Sequence, residues 1–331
     1  MGECKQHVHK RKCDCKQLVR RRTSVPITKL MLVTHKRLCA VLAVLLTIIC
    51  GILLDQRVHR VHSTGAHVIV TVARHEVQFV KEWLRYHLSL GFTRVHIYNQ
   101  DDLSEQHLIQ DKLDKFVKVG LVSITPWQVG DQTGAYLHAL VNFAPFVKSL
   151  VFLDVDEFIV LNRTSQVEDT VRSLGLFADY ICLELSWLSY GHSYVDARAV
   201  REKGVLRSLT RRAVNIEHAH AGKIILRGGM DNYTQGFTRS QLGLPGWHDC
   251  SGYAKSEKHM LVDQADAYIA HYQMRHGNES FVARVRRGSH GDFMGQNVYR
   301  NVSFDGFEHR NAVEDLTLVR LADDIEERLG I

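Results

Sequence analysis

The sequence predicts an α/β protein, a mostly parallel sheet flanked by helices, placed after a single N-terminal membrane-spanning helix. Three observations carry that prediction. From His67 onward, apolar β-branched runs alternate with stretches of helical periodicity, without repeats or low-complexity segments. Leu38 to Leu54 (LCAVLAVLLTIICGILL) runs for 17 residues without a charge, the short end of what spans a bilayer. The apolar run Leu150-Val-Phe-Leu153 opens directly into Asp154, Asp156 and Glu157, at the strand end where open α/β sheets hold their ligands.

The chain has 331 residues, 45% apolar and 24% charged, enough for one large or two ordinary domains with a buried core. Disorder, a collagen-like repeat and a small disulfide scaffold are excluded by that composition. The net charge of +6 is misleading, because residues 1–37 hold 11 Lys and Arg against only Glu3 and Asp14, leaving the rest about −3. A nucleic-acid binder carries its positive charge on the folded domain. Here the charge sits in a terminal tail, so nucleic acid is not expected as a partner.

The expected organisation is a basic cytosolic tail (1–37), a transmembrane signal-anchor (38–54), a short stem (55–66) and a lumenal catalytic domain (67–331). A cleaved signal peptide fits less well, since the lead is long and no A-x-A site follows Leu54. The flanking Lys36 and Arg37 keep the tail in the cytosol by the positive-inside rule. Four sequons, at Asn162, Asn232, Asn278 and Asn301, all follow the apolar run, as a lumenal domain requires. Five of the 7 Cys lie in the tail or the span. Only Cys182 and Cys250 lie beyond, where they can form one lumenal disulfide. The tail's His7, His9, Cys13 and Cys15 have the residue types of a metal site, but H-x-H-x3-C-x-C is no standard zinc spacing. Met1-Gly2 resembles a myristoylation start without its Ser or Thr at position 6.

Within the domain, His67–Val72 reads as a strand buried on both faces. Phe79, Val80, Trp83, Leu84, His87 and Leu88 recur at helical spacing, and Gly91 stands at the C-cap. The expected order continues with a strand at Val95–Tyr98, a helix at Ser104–Phe116, a strand at Leu121–Thr125, a helix at Gln132–Phe143 and a strand at Leu150–Leu153. Weaker strand signals at Tyr180–Glu184, Lys223–Leu226 and Ala267–Ile269 are expected to extend the same sheet.

Asp154 and Asp156 lie two apart, so both can reach one hard cation while leaving sites open for phosphate oxygens. Taken alone, D-x-D also fits a pair of solvated turn carboxylates. Position and flanks favour the cation. The wider pattern, Arg74-His-Glu76, Glu82-Trp-Leu-x-Tyr86-His87-x3-Gly91 and Phe152-Leu-Asp-Val-Asp-Glu-Phe158, resembles glycosyltransferase family 92 and the family-2-like enzymes of GT-A fold. Trp187, Gly191-His-Ser193, Lys223-Ile-Ile-x-Arg227, His271-Tyr272, Ser280-Phe281 and Arg284-x-x-Arg287 continue the likeness in order, over about residues 67–290.

The resemblance implies a GT-A domain that moves a sugar from a nucleotide-sugar, UDP-linked by first guess, to a glycan or glycoprotein hydroxyl. Galactose is the first-guess sugar and inversion the first-guess stereochemistry. It implies Asp154 and Asp156 as ligands of a divalent cation, Mn²⁺ by first expectation, with His271 as third ligand. Arg74 and Glu76 would meet the nucleotide base and ribose, Asp101 or Asp102 the ribose, and Lys223, Arg227, Arg284 and Arg287 the diphosphate. Asp249 is the favoured catalytic base, with Glu184 and Asp231 as rivals. Trp187 and Trp247 offer faces for sugar stacking. The implied setting is a Golgi or ER membrane, single-pass, with the catalytic domain lumenal. Two rivals remain: a lumenal pseudoenzyme binding glycans or partners, and a phosphatase of the haloacid-dehalogenase type, whose pattern Phe158 does not fit.

Overall fold

A computed structural model describes residues 65–216, 222–229, 248–250, 258–276 and 304–329, all in the unit His59–Ile331. The expected tail, the span and nearly all of the stem lie outside the described residues. Among the described residues no helix is long and apolar enough to cross a membrane.

The first half follows the alternation in the sequence. Strand β1 (His67–Ala73) leads to helix α1 (Val80–Ser89), β2 (Arg94–Asn99), α2 (Gln106–Lys118), β3 (Val122–Pro126), α3 (Gln132–Asn142) and β4 (Ser149–Phe152). The strands lie in the order β3-β2-β1-β4, and each pairing is parallel. That order brings the carboxyl ends of β1, β2 and β4 to one edge, where Arg74, Asp101 and Asp154 begin their loops. Gly91, just past α1, has φ +91°, the left-handed residue that ends a helix without a Cβ penalty.

The second half adds β5 (Glu157–Leu161), α4 (Val167–Ser173), β6 (Cys182–Ser189), α5 (Ala197–Lys203), α6 (Val205–Ser208), β7 (Arg211–Arg212), β8 (Gly222–Arg227), β9 (His259–Leu261), β10 (Ala267–His271), β11 (Val313–Glu314) and α7 (Thr317–Leu329). Beyond β4 the sheet continues β8-β6-β10-β5, with β9 beside β6. Three of these pairings, β4 with β8, β8 with β6 and β10 with β5, are antiparallel. The strands expected at 180–184, 223–226 and 267–269 all extend the one sheet, in a mixed α/β arrangement.

β5 was not expected, and α1 explains it. Trp83 donates its indole N–H to the Glu157 carbonyl at 2.8 Å, and Tyr86 its hydroxyl to the Ile159 carbonyl at 2.6 Å. The Ile159 N–H donates to His87 Nε2 at 3.3 Å, leaving Nδ1 to donate to the Trp83 carbonyl. Burial lowers the His87 pKa to about 3, so the neutral ring fills both roles. One helical face thus fixes the register of a strand 70 residues away. Two core clusters lie on the sheet, one containing Trp83, Phe158 and Tyr272, the other Tyr136, Phe152 and Cys182.

Candidate active site

β4 ends at Phe152, and the turn after it holds Asp154, Asp156 and Glu157 against three other elements. Asp154 Oδ2 accepts from Lys223 Nζ at 2.8 Å, while Gln132 and Tyr136 on α3 donate to Oδ1 at 3.3 and 3.4 Å. Glu157, fully buried, accepts from the Asp154 N–H at 2.8 Å and from the Trp187 indole at 2.7 Å, with Lys223 Nζ 3.5 Å away. Burial pushes the Glu157 pKa up, against the pull of Lys223. Burial alone would lower the Lys223 pKa, but Asp154 and Glu157 outweigh it and hold it raised. Lys223 reaches this point because β8 passes close to β6 at Gly222, where any Cβ would overlap the Leu185 carbonyl.

Asp156 has a different partner. Its Oδ2 is ion-paired with NH1 of Arg275, whose NH2 meets Glu76 Oε1 at 2.5 Å. Arg275 is 1% exposed. Burial opposes its charge, but Asp156 and Glu76 overcome that and raise its pKa. The backbone is tied as well, since the Tyr272 N–H donates to the Asp156 carbonyl at 2.8 Å. His271 Nε2 faces Asp156 Oδ1 at 3.8 Å, too far for a hydrogen bond. Burial lowers the His271 pKa to about 3, which keeps the imidazole neutral as a metal ligand requires.

These ion pairs join four carboxylates (Glu76, Asp154, Asp156, Glu157) to two cations (Lys223, Arg275). Carboxylate oxygens beside a neutral imidazole fit a divalent ion of the Mn²⁺ kind, and the formal excess of negative charge favours one. The three expected ligands do not converge on one point, because Asp154 is turned toward Lys223. Among the described residues the three metal-binding groups that do converge are His75, Asp101 and Glu105, with ligand atoms within 4.8 Å of one another. His75 is in the left-handed region at φ +60°, and its N–H donates to Asp101 at 2.5 Å.

The other expected site residues divide into three groups. Glu76 joins the cluster through Arg275, while Arg74 and Asp102 are exposed and Asp101 is buried at the same edge. Glu184 and Asp249 are both buried and are neighbours at the Cys182–Cys250 disulfide. Burial raises the Glu184 pKa to about 7, opposed by the N–H of Cys250 and reinforced by Asp249. Arg227 departs from expectation: β8 runs antiparallel to β4 and pairs Arg227 with Ser149, at the opposite end of the strand from Asp154. It donates instead toward the Phe177 carbonyl at 3.5 Å. Arg284, Arg287, Asp231 and Trp247 lie outside the described residues. Trp187 packs its ring against His271, 4.8 Å between centroids, and spends its N–H on Glu157, so it buttresses the cluster.

Arg275, Gln132 and Tyr136 were missed by sequence reasoning. Arg275 lies four residues past His271 in a stretch without a motif, and no spacing links it to Asp156. The α3 pair had a usable signal, Gln132 and Tyr136 being one turn apart on the helix that precedes β4.

Comparison with known proteins gives this geometry a family. The description Glycosyltransferase family 92 matches residues 69–329. A glycosyltransferase family 92 protein of Ricinus communis is 27% identical over 139 residues, 40% of this chain and 24% of its own length. One from Oryza sativa subsp. japonica is 25% identical over 146 residues, 44% of this chain and 24% of its own length. The matched stretch thus spans about a quarter of each curated relative. Among solved structures, S. aureus TarS (residues 1–349) has a TM-score of 0.39 at 11% identity, covering 67% of this chain and 65% of its own. The mannosyltransferase PcManGT of Pyrobaculum calidifontis, in complex with GDP-Man and Mn²⁺, has 0.36 at 10% identity, covering 81% and 76%. With its match running from β1 into α7, the chain belongs to glycosyltransferase family 92.

Proposed function

We propose that this chain transfers a hexose, galactose by first expectation, from a UDP-linked sugar to a glycan or glycoprotein hydroxyl, with inversion. The observation that carries the reading is the cluster at the end of β4, where Asp156 faces a neutral His271 and the two aspartates, Asp154 and Asp156, are anchored by Lys223 and Arg275. A divalent cation bound by Asp154, Asp156 and His271 would supply the positive charge that a departing diphosphate needs. Lys223 and Arg275 orient the two aspartates, and Asp154 would turn from Lys223 to join Asp156 and His271 on the ion. Arg284 and Arg287 are proposed to meet the diphosphate. Asp101, with Asp102 and Arg74 nearby, is proposed to meet the ribose and base.

Inverting transfer needs a carboxylate to take the proton of the acceptor hydroxyl. Asp249 is proposed for that role. Glu184 beside it, whose pKa burial raises to about 7, would be only partly ionised at neutral pH and so crowd the site with less negative charge. The setting proposed is the lumen of the Golgi or ER, with residues 38–54 as the anchor. Two features support it: the Cys182–Cys250 disulfide, which suits an oxidising compartment, and the exposed sequon residue Asn162. Asp154→Asn and Asp156→Asn are each expected to abolish transfer while the circular dichroism spectrum stays native. An unchanged rate in either variant would remove the metal-site reading.

A further inference from the structure

Helices α1, α2, α5, α6 and α7 border a cavity of about 260 Å³, floored by Phe79, Tyr86, Leu206 and Ile325. Five cations surround it: Lys81 and Arg85 from α1, Lys112 from α2, and Arg201 and Lys203 from α5. Among the described residues none of the five has an acidic partner. The acids nearby are engaged elsewhere. Glu82 accepts from the N–H groups of Val205 and Leu206 at 2.8 and 3.2 Å, and Glu202 pairs with Arg198. A sixth cation, Arg207, is paired with Asp323.

Lys81 and Arg85 are four apart on one helical face and half-buried, where like charges repel across one turn. Arg85 is the leading cause of a lowered Lys81 pKa, followed by burial and by Lys112 and Lys115. Converging like charges that have no acidic partner among the described residues costs a fold rather than stabilising it. An anion that neutralises them gains much, because charge-assisted hydrogen bonds strengthen where water is partly excluded.

We propose that this cavity binds a compact ligand bearing phosphate or sulfate groups, gripped by Lys81 and Arg85 and bordered by Lys112, Arg201 and Lys203. The site is separate from the β4 cluster. Phe79 stands between them, its ring lining the cavity and carrying the Arg275 guanidinium 5.3 Å from its centroid. The proposal does not depend on the transferase reading.

The test is titration of the full chain, in chelator, with inositol hexakisphosphate as soluble probe, and with vesicles containing phosphatidylinositol bisphosphate against vesicles of phosphatidylcholine alone. The readouts are the affinity and the shift in thermal midpoint. The Lys81→Gln/Arg85→Gln double variant is measured alongside, and its basic tail is unchanged, so only the difference between the two proteins is read. Binding weakened by about tenfold or more in the variant is expected, with a ligand-free midpoint no lower than wild type, since a repulsion has been removed. A difference seen with the soluble probe identifies a free anion as ligand, and one seen only with vesicles a lipid headgroup. Equal responses of wild type and variant to both probes, or no response of either, would overturn the proposal.

Discussion

At the end of β4 the half-buried Asp154 and the buried Asp156 and Glu157 lie beside Lys223 and Arg275, whereas on β6 the buried Glu184 has for neighbours a backbone N–H and a second carboxylate, Asp249. The first region sets buried cations against its acids, and Lys223 opposes the burial that pushes the Glu157 pKa up. Among the described residues the second sets no cation beside Glu184, whose pKa burial raises to about 7. Burial raises the pKa of Glu157 and of Glu184 alike, and the difference between the regions is the cation that opposes it in the first.

The comparison breaks most sharply at Arg275. Arg275→Met leaves Asp156 and Glu76 buried without their cation, and is expected to cost about 3–5 kcal/mol of stability in urea unfolding near neutral pH. Equal stability of variant and wild type would mean that the pairs are incidental. The disulfide beside Glu184 comes next. Its 68-residue loop predicts a loss of about 4 kcal/mol in Cys182→Ser/Cys250→Ser on the chain-entropy account, read in the same unfolding assay.

Glu184 itself gives the pH signature. Its pKa is raised from 4.5 to about 7 in the folded state, so the folded protein binds the extra proton and stability falls as pH rises between those values. Glu184→Gln is therefore expected to stabilise on the order of 2–3 kcal/mol above about pH 7 and to be neutral below about pH 4.5. Unfolding curves across that window check the sign. At the small end stands the exposed Arg198–Glu202 pair. Arg198→Ala should leave unfolding unchanged, as exposed ion pairs in high dielectric contribute little.

The same division runs through what the sequence makes legible. From β1 to β4 apolar strands, largely buried except for the edge strand β3, alternate with amphipathic helices, so apolar periodicity alone locates every element to within about two residues. After β4 that logic weakens. β5 begins with Glu157 and takes its position from hydrogen bonds to Trp83, Tyr86 and His87, contacts that no local pattern encodes. The resemblance of Lys223-Ile-Ile-x-Arg227 implies Arg227 for the diphosphate, and the direction of that strand against β4 cannot be read from its residues. Asp154, Asp156 and His271 carry residue types and positions that point to one site. Arg275, which binds two of the site's acids, carries none. Helix α7 was readable, with Leu318, Leu321, Ala322 and Ile325 at helical spacing, but it lies outside the strand–helix alternation on which the expectation was built.

The most direct test of the central claim is release of nucleoside diphosphate by the purified full chain across a panel of nucleotide-sugars, with Mn²⁺ or with chelator. Slow donor hydrolysis needs no acceptor, so none has to be known. The account predicts turnover of one donor, with UDP-galactose first in expectation, lost on chelation and lost in Asp156→Asn. Absence of both turnover and metal-dependent binding of any nucleoside diphosphate would contradict it.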